Sequence, residues 1–83
     1  MHTGSDITLK RDSIVTIHDQ LVAHFSQQIS SGELPPETQL PSENQLAKDL
    51  KISRMTVRRV FETLGHAGLV SRRHGKGTYV APA

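Results

Sequence analysis

Residues 40–69 read LPSENQLAKDLKISRMTVRRVFETLGHAGL, and this stretch decides the fold. Ser42 precedes an apolar-periodic segment, and Gln45 three residues later completes a capping-box pattern for a helix start. Leu46, Ala47 and Leu50 follow at helical spacing, so one side of residues 42–50 can be buried. Lys51-Ile52 is the turn. Ser53 is a second N-cap, because its hydroxyl can accept from the free N–H groups of the next helix's first turn. Val57, Val60, Phe61 and Leu64 then repeat at offsets of three, four and seven, an apolar stripe that needs a core. Arg54, Thr56, Arg58 and Arg59 fall mainly off that stripe, within the first two turns. The pattern predicts a helix-turn-helix whose second helix turns arginine and hydroxyl tips outward, a surface suited to a DNA major groove.

The remainder of the chain narrows the possibilities. At 83 residues it is one small domain, near the size at which a single core is only marginally stable. With 35% apolar residues and three aromatics, it has no room for a deep substrate cavity. It has no cysteine, so disulfides and thiolate chemistry are excluded, which fits a reducing cytoplasm. The longest apolar run, Leu21-Val22-Ala23, is far too short for a signal segment or a membrane span. These features predict a soluble cytoplasmic protein with no membrane association. The net charge of +2 conceals an asymmetry: from Ser53 onward six basic residues stand against Glu62 alone, whereas residues 1–52 hold four basic and seven acidic residues. Positive charge gathered at one end of so small a domain is a footprint for a polyanion. The competing reading of each arginine is an ordinary solvated charge.

Met1 to Ser13 has no clear period and is predicted to be a flexible tail, with a short extended piece around residues 7–9. Lys10 and Arg11 are read as solvated, with weak phosphate contacts as the alternative. The folded domain is predicted over residues 14–81. Its first helix begins near Thr16, which caps it with Asp19 in a Thr-x-x-Asp pattern. Ile17, Leu21, Phe25 and Ile29 are spaced by four and Val22 lies alongside, giving one buried stripe, with His18, Gln20, His24, Gln27 and Gln28 mostly off it. Gly32 ends the helix in a left-handed turn. Pro35-Pro36 stops further helix and stiffens the connection, and Pro41 favours an extended approach at Leu40.

After the third helix, Gly68 is another C-terminal glycine with Leu69 packing beneath it. Val70–His74 and Thr78–Ala81 are predicted as two short strands around Gly75-Lys76-Gly77. With Arg72, Arg73 and His74 on the approach and Lys76 at the apex, the hairpin reads as a basic wing able to lie along a minor groove or its phosphate rim. Taken alone, it also reads as a solvated hairpin that caps the core. The order predicts an α+β fold, a winged helix-turn-helix with three helices and a two-stranded wing. Ala81-Pro82-Ala83 has linker-like composition, so residues 82–83 are read as the start of an interdomain linker.

Three consecutive stretches, ISSGELPPETQLPSENQLA, ISRMTVRRVFETLGHAGLV and RRHGKGTYVA, resemble the N-terminal DNA-binding domain of the GntR family of bacterial transcription regulators, over roughly Thr16 to Ala81. SRMTVRR looks like the HutC branch. The resemblance implies that Ser53, Arg54, Thr56 and Arg58 are recognition-helix contacts and that His74 and Gly75 reach the minor groove from the wing tip. Ser42 and Asn44 at the start of the second helix, with Arg59, Arg72, Arg73 and Lys76, complete the candidate DNA-binding set. Asn44 departs from the family by replacing a frequent basic residue, and Lys51 stands where a turn glycine is common. By the same resemblance the protein is expected to be a metabolite-responsive repressor at the nucleoid, binding an inverted-repeat operator as a dimer. The domain that self-associates and takes a small-molecule effector would lie beyond this chain.

Arg54 and Arg58 are one helical turn apart, and a guanidinium can donate two hydrogen bonds to O6 and N7 of guanine. At least one of them is expected to read a base while the other binds phosphate. Ser53 and Thr56 are expected to fix register on phosphate oxygens, aided by the positive helix end, with a thymine methyl as the alternative for Thr56. Arg72, Arg73 and Lys76 should add salt-dependent affinity. No catalytic, cofactor or metal site is expected. The five histidines include no i,i+4 pair, GKGTYV lacks the frame of a phosphate-binding loop, and the serines sit at caps. The rival function is a winged-helix module that binds protein rather than DNA. Non-specific RNA binding is disfavoured because no aromatic platform exists for stacking bases.

Overall fold

The computed structural model describes residues 9–73 and 75–82. Helix α1 spans Ile17–Ser31, α2 Glu43–Leu50 and α3 Arg54–His66, and strands β1 (Val70–Arg73) and β2 (Gly77–Val80) follow. This is the winged helix-turn-helix architecture, and its helix starts follow from the local signals. Thr16 Oγ1 accepts from the Asp19 N–H at 3.1 Å, Ser42 Oγ from Gln45 at 3.0 Å and Ser53 Oγ from Thr56 at 3.1 Å. The capping box at α2 is only half made. Gln45 turns its amide to Asp49 at 2.7 Å, one turn on, instead of reaching back to Ser42.

The helix ends behave as their residues require. Gly32 takes φ 86 and its N–H meets the Ile29 carbonyl. Lys51 adopts the left-handed φ 57 and ψ 48, closing α2 through Ala47 at a cost on the order of 1 kcal/mol for a residue with a Cβ. Gly65 lies inside α3 as expected.

Leu21, Phe25, Leu46, Val57, Val60, Phe61 and Leu64 are fully buried or nearly so, joined by Leu34, Leu40, Leu50, Val70 and Val80 in one core. Phe25 of α1 meets Phe61 of α3 edge-to-face at 6.3 Å between ring centroids. Two residues of α1 predicted to lie off the buried stripe are engaged. Gln28 is buried, and His18 Nε2 meets Thr63 Oγ1 at 2.8 Å across the α1–α3 contact.

The second strand of the hairpin lies one residue earlier than predicted. β1 and β2 pair antiparallel with Arg73 opposite Gly77, and the Lys76 N–H donates to the Arg73 carbonyl at 2.8 Å. Gly77 therefore belongs to a strand rather than the tip, and β2 runs Gly77–Val80 rather than over 78–81; His74, predicted to close β1, lies outside the described residues. Gly77 sits at φ 119, a backbone conformation that residues with a Cβ rarely adopt, and this favours glycine there more than the 2.9 Å approach to the flexible Gln39 Nε2 tip.

Residues 37–40 form an unpredicted third edge. Glu37 and Leu40 donate to the Val80 and Thr78 carbonyls, and Val80 donates to Thr38. Pro35, Pro36, Glu37 and Thr38 make the turn into it: Thr38 donates to the Pro35 carbonyl and Glu37 takes φ 73. Pro36 thus occupies the turn position for which its ring is preset.

Of the predicted tail, residues 1–8 lie outside the described residues. Leu9 packs against the core, Lys10 exchanges two hydrogen bonds with Gln20, and Arg11, exposed as expected, also donates from Nη2 to the Leu50 carbonyl at 2.5 Å, satisfying the end of α2.

Candidate nucleic-acid interface

The start of α2, the first turn of α3 and the wing enclose a groove of about 460 Å³. Ser42 and Asn44 line it from α2, Arg54 from α3, and Arg72, Arg73, Gly75 and Lys76 from the hairpin. The fold thus gathers onto one face side chains that the sequence scatters over 35 positions. The tight two-residue turn at Lys51-Ile52 brings the start of α3 beside the start of α2. The Arg54 guanidinium donates to Asn44 Oδ1 at 3.1 Å across that junction. Asn44 therefore acts on Arg54 directly.

Arg58 lies one turn further along α3, with its Nε 3.4 Å from Glu43 Oε1 while half its side chain stays exposed (52%). The pairing engages Nε while the side chain stays half exposed, so the arginine is tethered rather than occluded. Ser53 and Thr56 share a hydroxyl contact of 2.9 Å, which locks the N-terminal turn. Arg59 is exposed, makes no ion pair among the described residues and does not line the groove.

Every arginine of the wing has a partner. Arg72 Nη2 donates to Glu43 Oε2 at 2.6 Å. Arg73 donates to Glu37 at 2.5 Å and stacks on the Tyr79 ring, 4.3 Å from its centroid. Lys76 is exposed at the apex, its carbonyl held by Gln39 Nε2 at 3.0 Å. His74, assigned to the wing tip, lies outside the described residues.

Sequence reasoning missed two residues here. Met55, in the first turn of α3, is a large apolar side chain left 54% exposed beside Arg54, although it does not line the groove. Glu43 joins α3 to the wing, and nothing local in the sequence announces that role.

Among the described residues no helix is long and apolar enough to cross a membrane, and no cluster of side chains could hold a metal ion.

Residues 17–80 match the model for bacterial regulatory proteins of the gntR family. The HTH-type transcriptional repressor NagR of Bacillus subtilis is 39% identical over 90% of this chain, which covers 31% of that protein. The histidine utilization repressor of Pseudomonas putida is 46% identical over 66% of the chain, covering 22% of its own length. The chain thus spans less than a third of these relatives.

Among solved structures, AraR(DBD) in complex with operator ORE1 superposes with TM-score 0.77 at 30% identity, covering 89% of this chain and 90% of that one. YtrA from Sulfolobus acidocaldarius, a GntR-family transcription factor, superposes with TM-score 0.83 at 28% identity, covering 93% and 65%. The family match runs from the first residue of α1 to the last of β2, through the groove and every element that builds it, and the chain accordingly belongs to the GntR family of bacterial regulatory proteins.

Proposed function

We propose that this domain binds double-stranded DNA sequence-specifically, with α3 in the major groove and the wing against the neighbouring backbone or minor groove, as part of a bacterial transcription regulator. The observation that carries the reading is the convergence of Arg54, Arg72, Arg73 and Lys76 around one concave face, with Arg58 tied to its edge through Glu43. Solvent-facing guanidinium groups occupy the first two turns of α3 there, where base edges are read. The similar AraR(DBD) structures, which hold operator DNA, support it.

In this reading Arg54 and Arg58 divide base and phosphate contacts between them. Ser42, Asn44, Ser53 and Thr56 fix register on phosphate, and Arg59 adds field. Arg72, Arg73, Gly75, Lys76 and His74 carry the wing's contacts. Repression, an inverted-repeat operator, and a further domain that dimerises and binds an effector complete the proposal, on the strength of the repressors to which the chain is similar. A cytoplasmic location follows from that role.

The deciding experiment is selection of bound duplexes from a random pool, followed by affinity measurement over a salt series. A defined half-site bound at least about 10³-fold more tightly than random DNA is expected. Equal affinity for all duplexes sinks the reading and leaves the protein-binding module.

A further inference from the structure

Glu43 ties together the two elements that would meet DNA. It occupies the first position of α2, its side chain is only 17% exposed, and each oxygen serves a different element. Oε1 lies 3.4 Å from Arg58 Nε of α3, and Oε2 accepts from Arg72 Nη2 of β1 at 2.6 Å. The manner of pairing matters more than its strength. A guanidinium carries five N–H donors in a rigid fork, and a carboxylate that takes Arg58 at Nε leaves the end-on Nη pair free. That end-on pair is the edge that matches O6 and N7 of guanine. A carboxylate on the end-on edge would instead compete with the base. The same residue restrains Arg72, which without it would be a free cation beside the groove.

We infer that Glu43 is a positioning residue for DNA reading. It holds Arg58 of the recognition helix and Arg72 of the wing in one fixed relation, so that the base-reading fork and the wing meet a half-site together. This inference rests on the DNA-binding reading above. It carries a signature that neither simple destabilisation nor a change of net charge produces. Removing the carboxylate loosens Arg58, which weakens binding to the preferred site. It also frees Arg72 to pair with any phosphate, which strengthens binding to random DNA.

The test uses the wild-type chain, its selected duplex and a random duplex, each titrated across salt. Glu43→Gln should lower the specific-to-random affinity ratio roughly ten-fold and steepen the salt dependence on random DNA by about one unit. Glu43→Asp keeps the charge but shortens the reach, and should also lower the ratio. Glu62→Gln makes the same charge change on the exposed side of α3 and should leave the ratio alone. On an Arg58→Ala background, Glu43→Gln should lower the ratio less than it does in the wild type, since only the Arg72 part of the effect remains.

Thermal unfolding establishes that each variant is folded, and if Glu43→Gln fails that check, Glu43→Asp carries the test. An unchanged ratio in a folded Glu43 variant overturns the inference, as does an undiminished loss on the Arg58→Ala background. A wild-type chain that prefers no duplex fails at the first step, and overturns the DNA reading itself before any variant is compared.

Discussion

Arg54 and Arg58 leave α3 one turn apart, each held at one edge by a polar group of α2: Asn44 for the first and Glu43 for the second. A side chain restrained at its inner edge loses less freedom when its outer edge binds. On this basis Arg54→Ala and Arg58→Ala should each cost about 1–3 kcal/mol on the preferred duplex wherever the arginine reads a base. Competition binding against random DNA checks this: equal weakening of both duplexes demotes the arginine to a phosphate contact. Lys76 makes no ion pair among the described residues and stands at the wing apex. Lys76→Ala should reduce the slope of log affinity against log salt by about one unit, and an unaltered slope puts the lysine off the DNA.

At the scale of the element, α3 combines an optimised start with a weak end. Ser53 caps it and the buried stripe Val57, Val60, Phe61 and Leu64 anchors it, but Gly65 sits within its last turn. A Cβ at Gly65 meets nothing within 4 Å. Gly65→Ala should therefore raise stability by about 0.5–1 kcal/mol through lower chain entropy, without touching the DNA face. Denaturant titration should show a higher midpoint at unchanged slope, and a lower midpoint contradicts the open space seen there. The wing is a different kind of element. Its two strands of four residues are too short to stand alone and are held by residues 37–40 along β2 and by Val70 and Val80 in the core.

For the whole molecule, one core supports every element. Phe61 is its central ring, 1% exposed and packed edge-to-face on Phe25. Phe61→Ala should cost about 3–5 kcal/mol, a large share of the roughly 5–15 kcal/mol that a domain has in total. The melting temperature should fall by at least about 12 °C, read by circular dichroism. A smaller fall would mean that the core closes over the cavity. DNA binding should fail with the fold, because the groove is the meeting place of α2, α3 and the wing and has no existence apart from their packing.

The sequence alone determined the three helices, their caps, the buried stripes and the basic character of α3 and the wing. Capping and periodicity act over three to seven residues, so Ser42, Ser53 and Gly32 declare their roles locally. It also marked Arg54 and Arg58 as outward-facing, since they fall off the stripe. Tertiary structure alone decided the third edge along β2, the Arg11 contact with Leu50 39 residues away and the His18–Thr63 contact across 45 residues. It likewise decided the sharing of Glu43 between Arg58 and Arg72, the second of them 29 residues distant. Such pairings have no period and no fixed spacing. They arise only when a core of set thickness brings separate elements to within a few ångströms, and only then is it settled which edge of an arginine is held and which is left to meet a partner.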